Sequence, residues 1–180
     1  MKRFAIFTLL LLTSCFASAT MVKPMSVEEL SSAATHIVEG QAVDSWTSWN
    51  ATHTRIYTFT RVKVARSLKG SAADTVVIKQ VGGSAGGYTQ HVAGVQPMQI
   101  GEQALLFLRP SQNADGTMVV VGLMQGHFRV ARDSQTGSTV VSNGVMGAEE
   151  LSGSSVKTYR GNTLTLSQME ARIRKAVPRE

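Results

Sequence analysis

The chain has 180 residues, a formal net charge of +6 and 43% hydrophobic side chains. That length suffices for one domain with a sizeable core, and the charge is too modest to require an anionic partner. Cys15 is the only cysteine, so no disulfide within the chain and no cysteine-built zinc site are open to it.

The first twenty residues read as an export signal. Lys2 and Arg3 precede the apolar run Phe4 to Leu12, and Ala17-Ser18-Ala19 is an A-x-A cleavage signature before Thr20. The run is shorter than the ~20 apolar residues that span a bilayer. Cleavage after Ala19 leaves residues 20–180 as one β-rich domain without cysteine. Its charge is then about +4. The alternative is processing at Leu12-Thr13-Ser14-Cys15, which resembles a bacterial lipoprotein box and makes Cys15 the acylated first residue. Both routes predict export. One gives a periplasmic or secreted protein, the other an outer-membrane lipoprotein that meets the membrane only through Cys15.

Ser26-Val27-Glu28-Glu29 is a capping box and predicts a short helix over about 27–34. Strands are predicted for 36–46, for 54–68 (TRIYTFTRVKVARSL, dense in β-branched and aromatic residues) and for 75–81. Trp46 to Asn50 is expected to be a loop tip or a bulged strand end. A glycine-rich loop then runs to Gln99. Further strands are expected over 102–109, 117–123, 127–132 and 138–142, an irregular segment over 144–164, and a helix over about 168–177 opened by Ser167-Gln168-Met169-Glu170. Many short strands, a small helix at each end and no strand–helix alternation predict a mainly β, antiparallel barrel or sandwich, with the strands falling within 36–142.

Gly82-Gly83-Ser84-Ala85-Gly86-Gly87-Tyr88-Thr89 matches two catalytic patterns. G-x-S-x-G marks a serine nucleophile on a strand-to-helix turn, but no helical period follows Ser84. G-x-x-x-x-G-x-T marks a phosphate loop, but Tyr88 stands where the lysine belongs. A faint likeness to the trypsin-like nucleophile segment fails on length. The plainer reading is a connection whose glycines permit sharp turns, and such a loop can also serve as a contact surface. A small hydrolase using Ser84 with His91 or His127 is retained as an alternative.

His36, His53, His91 and His127 lack the spacing of metal ligands, so no metal and no cofactor is expected. The strand from Arg55 alternates Arg55, Tyr57, Phe59, Arg61 and Lys63 on one face with Ile56, Thr58, Thr60, Val62 and Val64 on the other. Basic and aromatic residues interleaved in this way suit single-stranded nucleic acid. Export makes nucleic acid an improbable partner, and the plainer reading packs the rings while the basic side chains snorkel. Trp46 and Trp49 offer either an exposed contact patch or a plug for a barrel end.

Together, Ser26 to Ala34, His36 to Val43, Tyr57-Thr58-Phe59, Leu68-Lys69-Gly70 and Val76 to Val81 resemble the netrin-like modules and the tissue inhibitors of metalloproteinases. In that family an aromatic-x-aromatic strand and a lysine–glycine strand end open a five-stranded oligonucleotide-binding-type (OB-type) barrel. The chain also resembles small bacterial secreted proteins through Glu102 to Pro110 and the segment from Leu164 to Lys175. The resemblance implies an OB-like barrel with short terminal helices. It does not carry over the inhibitory residues, because those inhibitors chelate zinc through an N-terminal cysteine. Here Thr20 would come first, or Cys15 would have a blocked amine. The function expected is a non-catalytic exported binding module for an unidentified protein partner, with an inhibitor or accessory of an extracellular protease as a special case. Its candidate contact residues are Trp46, Trp49, Tyr57, Phe59, Tyr88 and His91.

Overall fold

The computed structural model describes residues 23–143 and 164–177; the expected leader, Cys15 and nearly all of the expected irregular stretch lie outside the described residues. Helix α1 (Val27–Ala33) starts at the capping box. Ser26 Oγ accepts from Glu29 N–H at 3.1 Å, and the Glu29 carboxylate accepts from Ser26 N–H at 2.7 Å. Both donors would otherwise be left without partners by the first helical turn. At the other end, Lys69 Nζ donates to the carbonyls of Ser31 and Ala34, each at 2.7 Å, where the helix dipole favours a cation.

Ten strands follow in chain order: β1 (His36–Trp49), β2 (Ile56–Lys69), β3 (Thr75–Val81), β4 (Gly83–Ala85), β5 (Tyr88–Gln90), β6 (Gln103–Pro110), β7 (Met118–Val120), β8 (His127–Arg132), β9 (Thr139–Asn143) and β10 (Leu164–Thr165). Helix α2 (Leu166–Ala176) closes the sequence of elements. Eight strands form one sheet in the order β1-β2-β3-β7-β6-β8-β9-β10, and β1 pairs with β6 as well. β4 and β5 form a separate two-stranded hairpin.

The expectation of a purely antiparallel arrangement is corrected. β3 and β7 run parallel and are joined at Ile78↔Met118. The parity of the connections requires this. β1, β2 and β3 alternate in direction, β6 returns antiparallel to β1, and β7 reverses from β6, so β7 points along β3.

Bulges bend a strand and strengthen its local twist. β1 has such irregularities between Ile37 and Val38, Glu39 and Gly40, and Ala42 and Asp44. Gly40 sits at the tightest approach: a Cβ there would lie 2.5 Å from Lys63 O and 2.7 Å from Val62 Cγ1. β1 also continues through Trp49, so the stretch Trp46 to Asn50, expected to be a loop tip or a bulged strand end, is regular strand as far as Trp49, with Trp46 paired to Phe59.

Two apolar clusters share β6. Ala104, Leu106 and Leu108 join Val38, Ala42, Val62, Ile78, Met98 and Val120. Leu105 and Phe107 join Leu30, Ile37, Phe128, Val141, Met169 and Ile173 beneath the helices. All five β6 residues have zero exposure, which is why that segment is an unbroken apolar run without a period of two.

Three local expectations change. The box that caps α2 is Thr165 with Gln168, two residues before the expected Ser167 and Glu170. The expected strand 117–123 is regular only over β7; residues 121–126 turn tightly, with Gly126 N–H donating to Val121 O at 3.0 Å. The glycine-rich loop contains the β4–β5 hairpin, whose two-residue turn is Gly86-Gly87 with φ of 58° and 81°. Positive φ at both turn positions matches the right-handed strand twist, and glycine supplies it without strain. No described helix is long and apolar enough to cross a membrane.

Candidate functional site: an aromatic–cation face and a buried carboxylate–imidazole pair

Strand alternation and register assemble the first site. On the outward face of β1, β2 and β3, the pairings align Asp44 with Arg61, Trp46 with Phe59 and Lys79, and Ser48 with Tyr57 and Val81. Trp46 stacks on Phe59 with centroids 5.5 Å apart and planes 10° from parallel. The Arg61 guanidinium lies 5.3 Å from the Trp46 centroid, and its Nη1 donates to Asp44 Oδ2 at 2.8 Å. Tyr57 meets Phe59 at 6.5 Å, and Lys79 Nζ sits 4.6 Å from the Tyr57 ring and 5.8 Å from the Phe59 ring. Lys79 also donates to Asp115 Oδ2 at 2.8 Å. The Lys79 ammonium, and after it the Thr117 hydroxyl, hold the Asp115 carboxyl well below the usual carboxylate range.

The resulting ladder is aromatic, with Trp46 stacked on Phe59 and Tyr57 tilted 49° to Phe59. Cations over ring faces add attraction beyond packing. Each of its two ring-bound cations also holds a carboxylate, so the ladder itself is nearly neutral. Such a surface suits an uncharged or apolar contact better than a phosphate backbone. Trp46 remains 38% exposed, while Tyr57 and Phe59 are half-buried.

Trp49 belongs elsewhere. Three residues along the strand from Trp46, it faces the opposite side of β1. It packs against His53 at 6.0 Å and edge-on against Tyr88 at 5.7 Å, beside the Gly86-Gly87 turn. The candidate contact residues thus fall into two groups: Trp46, Tyr57 and Phe59 on the sheet, and Trp49 and Tyr88 at the hairpin. His91 is exposed just after β5.

Ser84 lies on β4, and the element that follows it is strand β5, not a helix. Its Oγ shares a hydrogen bond of 2.8 Å with Thr89 Oγ1 across the hairpin, and its carbonyl accepts from Thr47 Oγ1. His127 is engaged with Glu102 instead.

That pairing forms a second constellation. His127 Nε2 and Glu102 Oε1 are 2.8 Å apart, with side chains 8% and 4% exposed. Glu102 Oε2 accepts from Arg129 at 3.1 Å and from Gln99 N–H at 3.2 Å. Burial alone would raise the Glu102 pKa. The hydrogen bonds from His127, the Gln99 backbone and Arg129 outweigh that and bring it down to about 2. An ionised carboxylate only accepts, so Nε2 carries the proton of this bond. A cavity of about 80 Å³ adjoins the pair and is lined by Gln96, Met124 and Ser142 among others.

Sequence reasoning picked out Tyr57, Phe59 and Arg61 because they share one strand. It missed Lys79, Asp44 and Asp115, whose roles depend on register between strands. It also missed Glu102 with His127, since no motif links positions 25 residues apart. Among the described residues, no three His, Cys, Asp or Glu side chains group as metal ligands. No protein-family model matches the chain, and no curated protein sequence does.

Proposed function

We propose that the protein is an exported, non-catalytic binding module on an OB-type barrel of netrin-like plan, and that it engages a protein partner through the Trp46–Phe59–Tyr57 face. Inhibition or assistance of an extracellular protease is the special case that this plan suggests. The barrel reading is supported by the pairing circuit β1-β2-β3-β7-β6 and back to β1, with its parallel β3–β7 step. The binding reading is carried by one observation: Trp46 lies stacked and partly exposed in a pre-ordered aromatic–cation ladder. Rigid tryptophan and tyrosine surfaces lose little entropy on contact and dominate many interfaces.

The test is a pull-down from periplasm or culture medium with the exported chain and its Trp46→Ala variant. A hot-spot tryptophan contributes about 2 kcal/mol or more, so the variant should retain its partner about 30-fold less well. Its urea midpoint should stay close to that of the parent. Equal retention by both chains, or none by either at micromolar bait, overturns the proposal. Mass spectrometry of the mature N-terminus separates a free Thr20 from an acylated Cys15.

A further inference from the structure

The β3–β7 step is the thinnest part of the sheet. Only Ile78↔Met118 joins the two strands, and beyond it they part. The opening holds a cavity of about 560 Å³ walled by Val81, Val92, Val95 and Val119, with Gln80 and Arg109 also lining it. Cavities of this size hold small ligands or about three to four extended residues.

Two features define an occupant. First, Gly82 N–H donates to Ile56 O at 2.8 Å, which makes Gly82 the residue that faces β2. Alternation then turns the N–H and C=O of Val81 toward the β7 side, where no strand pairs with it. A free strand edge of this kind accepts an added strand. Second, Arg109 has no carboxylate within 4.0 Å among the described residues, whereas Lys79, the other cation of this cavity, already holds Asp115.

We infer that this slot binds the free C-terminal end of an extended apolar peptide. The terminal carboxylate pairs with the Arg109 guanidinium, which matches it in charge and bidentate geometry. The peptide backbone pairs with the Val81 edge, and its aliphatic side chains fill the valine walls. A fatty acid would supply the carboxylate and the apolar chain but no N–H for the edge. The slot adjoins the aromatic ladder, because Tyr57 and Lys79 also line it, but it uses the edge of β3 and Trp46 is not part of its lining.

The experiment titrates the 15N-labelled chain with the peptide acetyl-Val-Ser-Val-Val carrying a free carboxylate, and repeats this with the C-terminal amide, a backbone N-methylated analogue and laurate. The expected result is saturable amide shifts at Val81 and Val119 with the free acid. Amidation and N-methylation should each weaken binding at least tenfold. Arg109→Gln should weaken the free acid to the level of the amide, while Trp46→Ala should leave it unchanged. The inference is overturned if acid and amide bind alike, if Arg109→Gln has no effect, or if laurate binds as tightly with the same shifts. It is also overturned if sedimentation shows a second copy of the chain covering Val81. Loss of partner capture by Trp46→Ala with unchanged peptide binding would separate this site from the ladder.

Discussion

Single residues carry two kinds of information here, and the sequence displays only one of them. Lys69 belongs to the lysine–glycine end of β2, and its role is structural: the ammonium closes α1 on two carbonyls at 2.7 Å. Gly70 beside it has φ +69°, with Thr35 O 2.6 Å from where a Cβ would lie. Lys69→Met keeps the apolar stem and removes both charge-assisted bonds, so it should cost about 2 kcal/mol in urea unfolding. Glu102 shows nothing in the sequence, because its meaning comes from His127 and Arg129, which only folding brings near. Its carboxyl is held down at about 2 in the folded protein, against an ordinary value of 4.5. A lowered folded pKa contributes stability that is fully present above the ordinary value and lost as pH falls toward 2. The unfolding midpoint should therefore fall between about pH 5 and pH 2. Glu102→Gln should cost about 3 kcal/mol near neutrality and flatten that acid limb, read by urea titrations across pH.

Secondary-structure elements were legible where one period dominates and ambiguous where two signals compete. β2 shows its alternation openly, and β6 shows its double burial as an apolar run. The start of α2 was less plain, because Thr165 with Gln168 and Ser167 with Glu170 both fit a capping box. The earlier one forms, and Glu170 instead pairs with Arg66 of β2. The β4–β5 hairpin was hidden in plain view: Gly86-Gly87 is a hairpin turn signal, but the strands around it are only three residues each. Packing decides how firmly α2 is held. Ile173 is 1% exposed in the cluster beneath the helices, whereas Arg172 reaches Glu28 in a two-bonded pair that is 38% and 46% exposed. Ile173→Ala should cost about 3 kcal/mol and Arg172→Ala less than about 1 kcal/mol, compared by urea denaturation at neutral pH.

At the scale of the molecule, the sequence conveyed the β-rich class but not the closing connections, since pairings such as β1 with β6 join residues far apart in the chain. The parallel step likewise follows from the order of connections and leaves no local trace. β6 turns Leu105 and Phe107 toward the helical layer and Ala104, Leu106 and Leu108 toward the β1–β2–β3 side. It is a shared wall, and neither compartment can be emptied while the other stays dry. Loss of the helices would strand a phenylalanine and a leucine in water on the very strand that seals the opposite chamber, so the two halves of the molecule melt together or not at all.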